Sequence, residues 1–327
     1  MAGQLTTASN YPGGFNNVTI RGVPLVQSHP GQVFWVSNAA KTLPGQISGS
    51  DGNPGTFAAP FTTIAYAISR CVADRGDIIF IKPGHAETVL DATTFAFNIA
   101  GVAIVGLGAG TKRPTFTFTT ANTATIPVSA DNISILNCAF IGNFLSIAAC
   151  FTVAAAANFV IGNCAFTDTS AIKGFLSIVT TTVSTNSDFL TVDNCYIKSD
   201  ATTKSVAPIV ILNTMTGLTV TNNYVNQTVA QNNISQLISH AALVMNSLLV
   251  KGNLVQSVNT DSATGAILLT TTATTGSGLI TDNYAFALDV AAALLVTAGA
   301  VQYGFFNNMY NGDTGMSGYI LPAIGTN

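Results

Sequence analysis

The chain has 327 residues, of which 48% are apolar and only 8% charged, against about 25% charged in ordinary globular proteins. Eleven Lys and Arg against fourteen Asp and Glu leave a net charge of −3, so there is no basic excess to neutralise a phosphate backbone. High apolar content with little charge is the reverse of a disordered chain, and Thr, Asn, Val and Ala dominate where a helix bundle would want Glu, Lys, Leu and Arg.

The N-terminus, Met1 to Tyr11, carries neither a basic cluster nor an apolar core, and does not read as a signal peptide. Residues 1–47 are rich in Gly, Asn and Pro, with apolar islands at Val18–Ile20, Val23–Val26 and Val33–Val36. They read as an irregular arm outside any repeat, either loosely wrapped or used for docking and trimerisation. The candidate docking contacts are Tyr11, Phe15, Val18, Ile20, Val23, Leu25, Phe34 and Trp35. Trp35 is the chain's single tryptophan, and aromatic anchors are favoured at interface centres.

In the next segment Phe61, Ile64, Ala65, Ile68 and Val72 fall on one helical face, and Gly76 ends the helix. Asp77–Lys82 reads as a strand and Pro83–Gly84 as a turn. A helix near 61–75 would cover the open end of a stack of strands, where unpaired backbone otherwise invites polymerisation. Arg75-Gly76-Asp77 spells an adhesion tripeptide, but its place at a helix-to-strand junction accounts for it. His85 and Glu87 share one face of the next strand, about 6–7 Å apart. That is acid/base spacing, and a hydrogen-bonded pair in the first coil is the plainer reading. The run Gly106 to Lys112 has the letters of a phosphate loop without its spacing, and Pro114 prevents a following helix, so it reads as a corner.

A short phrase then recurs. It begins as Ile133-Ser-Ile-Leu-Asn-Cys-Ala-Phe140, Phe159-Val-Ile-Gly-Asn-Cys-Ala-Phe166 and Leu190-Thr-Val-Asp-Asn-Cys-Tyr-Ile197, and continues to Gly304-Phe-Phe-Asn-Asn-Met309. Its first turn residue is Asn137, Asn163, Asn194, Asn222, Gly252, Asp282 and Asn307, at steps of 26, 31, 28, 30, 30 and 25 residues. Alternation on either side of the pair predicts strands. Asn, Gly and Asp are the residues that tolerate a left-handed corner. No copy can bury its apolar face alone, whereas stacked copies close one continuous core. The second turn residue reads Cys138, Cys164, Cys195, Asn223, Asn253, Asn283 and Asn308. Stacked and facing inward, the Asn form an amide ladder, and Cys serves as a small buried hydrophobe in the same column.

The longest apolar stretch, Ala285–Val301, is interrupted by Asp289, Thr297 and Gly299 and is not expected to span a membrane. Cys71 and Cys150 complete the cysteines, with no CxxC pair, and His29, His85 and His240 lie far apart, so neither a disulfide framework nor a zinc site is expected. The sequons at Asn17, Asn132, Asn226 and Asn233 carry no meaning without secretion.

The repeated phrase and its turn pair resemble the right-handed parallel β-helix of the pectate-lyase-like superfamily, over about residues 50–310. The resemblance implies an all-β, right-handed parallel β-helix of about eight or nine coils with an N-terminal capping helix. The domains would be an arm at 1–47, the solenoid at 48–310 and a tail or cap at 311–327. Handedness rests on the resemblance alone.

Polysaccharide lyases on such a fold use a basic residue to take the proton, usually beside an acidic cluster holding calcium, and glycosidases use two carboxylates across a groove. Here Asp168, Asp193, Asp200, Asp261 and Asp282 are scattered over different coils. Lys173, Lys198 and Lys204 adjoin no matched acidic cluster, and the aromatics mostly occupy repeat positions. The expectation is a chain that is not an enzyme and needs no cofactor. A neutral exterior rich in Thr, Asn and Ala fits a protein packed against copies of itself. Together with a capping segment similar to those of many phage-encoded and secreted β-helix proteins, this resembles a bacteriophage virion protein. What that implies is a capsid decoration (cement) protein: a homotrimer on the virion, made in the host cytoplasm. Its partners would be itself and the major capsid protein, with no nucleic acid and no membrane. The alternative is a tailspike or fibre that binds or cleaves host polysaccharide, with His85, Glu87 and the Asp168/Asp193 neighbourhood as its candidate catalytic groups.

Overall fold

The computed structural model describes residues 18–20, 23–25, 31–40, 45–170, 172–183, 186–199, 207–227, 237–241, 244–257, 266–271, 275–287, 294–297 and 302–311. The chain is an all-β parallel solenoid. Its wall has three parallel sheets, visited in turn by each coil. The first runs from Val33–Val36 through strands such as Ile78–Ile81, Ser134–Leu136 and Thr219–Thr221 to Gln302–Phe306. The second runs from Ala86–Val89 to Met309–Asn311, and the third from Ile126–Val128 to Leu294–Thr297. Among the described residues the third sheet holds seven strands, so the chain makes six complete turns from its first strand to its last, with partial coils at either end. This differs from the eight or nine coils expected from the sequence.

Alternation decides which side of the wall each residue faces. In the second sheet Phe116, Phe140 and Phe166 are register partners and buried. Their rings stack at 5.5 Å and 5.1 Å with interplanar angles of 20° and 14°. Burial of such a ring contributes about 1.5–3 kcal/mol, and each aromatic contact adds roughly 0.5–1.5 kcal/mol. Ile79, Ile104, Ile135, Ile161 and Val192 form the facing column of the first sheet, and Ile126, Phe151, Val179 and Ile209 that of the third.

The corner from first to second sheet is left-handed at every expected position: φ is +56° at Asn137, +52° at Asn163, +50° at Asn194, +55° at Asn222, +67° at Gly252, +58° at Asp282 and +51° at Asn307. A second left-handed column, at the entry to the first sheet, is invisible in the repeated phrase. It comprises Asp74, Gly101, Asn132, Asn158, Phe189, Gly217 and Ser247, all at positive φ. Six of these seven donate their backbone N–H to the residue just before the corner of the next coil, as Asn158 does to the carbonyl of Asp188 at 2.8 Å.

The N-terminal end differs from the expectation in two ways. The helix is only Ile64–Ser69, capped by Thr63, whose Oγ1 accepts from the N–H of Tyr66. Ile64 and Ile68 are buried and Phe61 packs beside them, but Val72 lies beyond the helix and is 50% exposed, while Ala67 takes an inward place. Second, Val33–Val36 is not part of an arm outside the repeat. It pairs in parallel with Ile78–Ile81, Trp35 opposite Phe80, and forms the first strand of the first sheet. Phe34 is therefore core, 5.8 Å from Phe61, and is not available for docking. Trp35 faces outward between Phe57, at 4.9 Å, and Phe80, at 5.0 Å. Val18–Ile20 and Val23–Leu25, which contain four of the docking candidates, form an antiparallel pair. Tyr11 and Phe15 lie outside the described residues, as do Asp200, Lys204, Asp261 and the tail from 312. The apolar stretch after Tyr284 contributes to two strands, Tyr284–Ala287 and Leu294–Thr297.

Candidate functional surfaces and buried polar sites

His85 is buried. Its Nδ1 accepts from the N–H of Asn38 at 3.1 Å, which leaves the ring proton on Nε2, 3.1 Å from Oε2 of Glu87. The same Oε2 accepts from the N–H of Ile64 at the start of the capping helix, 3.1 Å away. The pair is thus in direct contact rather than merely on one face, and its bonds tie the N-terminal strand, the first coil and the helix together. Asp77, from the adhesion-like tripeptide, is fully buried. Burial alone would raise its carboxyl pKa; bonds from Arg75 at 2.7 Å, Val72 N–H at 2.8 Å and Gln32 N–H at 2.7 Å outweigh that and hold it below the ordinary value. The Gly106–Lys112 run is a corner containing a single short turn at Gly110–Lys112, and the Asn137 amide donates to its carbonyls at Gly106 and Gly108.

The inward turn column is a continuous ladder. Oδ1 of Asn253 accepts from both the backbone N–H and Nδ2 of Asn223, Asn283 does the same for Asn253, and Asn308 for Asn283. Each Nδ2 also donates to a carbonyl of the preceding coil, as Asn253 does to Val220 at 2.9 Å. The ladder passes to cysteine where Cys195 N–H donates to Asn223 Oδ1 at 2.9 Å. Cys138, Cys164 and Cys195 continue the column as buried thiols. Burial pushes the Cys164 pKa up to about 12 and those of Cys138 and Cys195 well above the ordinary value, which keeps the thiols protonated and unreactive. In the third sheet His240 is buried, its Nε2 3.3 Å from the Asn213 carbonyl, and burial lowers its pKa. Thr181 Oγ1 donates to Asn213 Oδ1 at 2.7 Å beside it.

Asp168 and Asp193 do not converge. Asp168 points inward from the second sheet, where Oδ1 accepts from the N–H of Phe175 at 3.0 Å and Oδ2 from the Ser199 hydroxyl at 3.2 Å. The recess it lines with Ser177, Lys198 and Pro208 holds about 10 Å3, the room of a single water. Asp193 points outward from the first sheet and accepts from Thr221 Oγ1 at 2.6 Å and Asn222 Nδ2 at 3.1 Å, both one coil on.

The three outward faces differ in chemistry. The third sheet presents Pro127, Thr152, Thr180, Val210 and Ser239 in one column, none of them ionisable. The second sheet carries small residues over its early coils and then Tyr196, Tyr224, Leu254, Tyr284 and Met309. These tyrosines hold the repeat position after the turn pair, which alternation points outward, so the sequence does carry a signal for this surface. The first sheet presents Val33, Ile78, Ala103, Ser134 and Val160 in one column and Trp35, Phe80, Val105, Leu136 and Gly162 in the next. Apart from Ser134, its first five strands are thus apolar on both sides, a pattern otherwise found in sheets covered on both faces.

No protein-family model matches the chain, and a search of curated proteins finds no match. Among solved structures a rhamnogalacturonan lyase is similar, with 14% identity and a TM-score of 0.37 over 85% of this chain and 87% of that one. At that distance the likeness concerns the coiled wall and none of its chemistry. The expectation that the chain is not an enzyme is withdrawn: it rested on carboxylates scattered over different coils, and the absence of a paired set is no ground for excluding catalysis.

Proposed function

We propose that the chain works as an assembled structural component, docked through the outward face of the first sheet. The observation that carries this is the apolar double column from Val33 and Trp35 to Val160 and Gly162, broken only by Ser134. Contiguous apolar surface of this kind marks an interaction site. A chain with only 8% charged residues lacks the repulsion that keeps separate copies apart. A capsid decoration protein, held as an oligomer on a bacteriophage head, is the role that joins a rigid solenoid post to such a face. The test is Leu136→Lys, which places a charge in the middle of the face and leaves the inward column untouched. The wild-type mass by light scattering is expected to be a multiple of 33.6 kDa, and Leu136→Lys is expected to reduce it and to abolish co-sedimentation with phage heads, with the unfolding midpoint unchanged. A wild-type monomer that ignores heads would defeat the proposal.

A further inference from the structure

We infer that the corner ending at Arg113, between the first and second sheets, binds a tetrahedral oxyanion, phosphate or sulfate, through the Arg113 guanidinium. Counting back two residues from the register partners Ala86, Thr115 and Ala139 puts Gly84, Arg113 and Asn137 at the same corner of three successive coils. The side-chain donors of this column reach toward the coil before. Asn163 Nδ2 donates to Asn137 Oδ1 at 3.2 Å, and Asn137 Nδ2 to the Gly106 and Gly108 carbonyls at 2.8 Å and 3.0 Å. Arg113 has Gly84 before it, which offers no side-chain acceptor. Its Nε is buried and meets no acceptor, and it belongs to neither of the ion pairs Arg75–Asp77 and His85–Glu87. A buried donor left in this state costs free energy that an acceptor from outside the chain recovers.

The acceptors around Arg113 are largely engaged. Asn137 takes the carbonyls of Gly106 and Gly108. The Ala109 carbonyl accepts from Lys112 N–H, that of Gly110 from Arg113 N–H, and that of Lys112 from Gly84 N–H. The Thr115 hydroxyl donates to the Arg113 carbonyl at 3.1 Å. In contrast, the N–H groups of Gly108, Ala109, Gly110 and Thr111 meet no acceptor among the described residues, and all four residues are exposed. Lys112, beside them, is exposed and in neither ion pair. The corner therefore joins two cationic side chains to a run of open donors, and its column holds no carboxylate before Asp282. The turn at Gly110–Lys112 is too short to carry a helix dipole, so the attraction comes from the side chains. A guanidinium fork matches two oxygens of a phosphate or sulfate, and the oxygens left over can face the backbone donors. The run from Gly106 lacks the spacing of a phosphate loop; the anion depends instead on Arg113, just after it.

The inference is independent of docking through the first sheet. Sodium phosphate and sodium sulfate are titrated into the full-length protein at low ionic strength and followed by amide NMR, with sodium chloride at matched ionic strength as control. Saturable shifts at Gly108–Thr111 are expected with phosphate and sulfate, and none with chloride. Arg113→Met is expected to weaken phosphate roughly tenfold or more, and Arg113→Lys, which keeps the charge and loses the fork, to fall between. Phe80→Ala on the first sheet is expected to leave the phosphate response unaltered. Unfolding midpoints give a second readout. Without phosphate, Arg113→Met is expected to be at least as stable as wild type, because it removes a buried donor that lacks an acceptor; saturating phosphate reverses the order. Shifts that do not saturate, an equal response to chloride, or wild-type affinity in Arg113→Met would mean an adventitious ion only and overturn the inference. So would an Arg113→Met midpoint below wild type without phosphate, since the guanidinium would then be serving the corner itself.

Discussion

Asn253 accepts twice from Asn223: the backbone N–H and the side-chain Nδ2 of Asn223 each lie 3.0 Å from its Oδ1. One amide thereby satisfies two buried donors of the coil before, while its own Nδ2 reaches Asn283 Oδ1 and the Val220 carbonyl, each at 2.9 Å. Asn253→Ala removes the acceptor and leaves both Asn223 donors without it. Each such group costs about 1–3 kcal/mol, so a loss of about 3 kcal/mol or more in urea unfolding is expected. A variant within about 1 kcal/mol of wild type would mean the ladder relaxes or admits water.

The thiols provide a second check. All five cysteines are free and buried, and burial raises the pKa of Cys71 and Cys164 to about 12. A thiol reagent at mildly alkaline pH is expected to find almost no reactive cysteine in the native protein and all of them after unfolding. Rapid native labelling of Cys138, Cys164 or Cys195 would show the column open to solvent.

His240 makes stability depend on pH. Burial lowers its pKa below the ordinary 6.5, so between the folded value and 6.5 the unfolded chain binds a proton that the folded chain does not. The contribution of neutral His240 is whole above about pH 6.5 and is lost as pH falls toward the folded value. The difference between urea midpoints at pH 7 and pH 5 is expected to shrink in His240→Gln. An equal pH dependence in the two proteins would remove His240 from the account.

Phe189 is the only bulky residue in its left-handed column, at φ +61° and 51% exposed. Its ring lies over Gly217, where an added Cβ would come within 2.4 Å of it at a φ of +77°. A side chain in this region costs about 1–2 kcal/mol, less for Asn. Phe189→Asn is expected to be neutral to stabilising by up to about 1 kcal/mol. Gly217→Ala is expected to destabilise, and less so in the Phe189→Asn background, because one of its two penalties is then gone. Chemical denaturation of the four proteins gives the coupling.

Much of the wall was legible from Asn137 onward because a two-residue corner repeats there and left-handed angles admit few residue types. The second corner was hidden because it is filled by Asp, Gly, Asn, Phe and Ser with no common phrase around it. Val33–Val36 was assigned to an arm because the strand it pairs with begins 45 residues later, at Ile78. His85 and Glu87 were placed on one face by strand period, but their contact, and the bonds that bind them to Asn38 and Ile64, join segments distant in sequence.

The repeat, the corner, the inward ladder and the apolar character of each strand can be read locally along the chain, because these depend on backbone angles and on alternation within a few residues. Which residues line up across coils emerges from the folded wall alone: the apolar double column of the first sheet, the tyrosine stripe of the second, and the separation of Asp168 from Asp193. Loop lengths vary from coil to coil, so neighbours on the wall stand 24 to 31 residues apart, and 45 apart at the first pair, Val33 and Ile78, and their register is set by strand pairing rather than by any local signal.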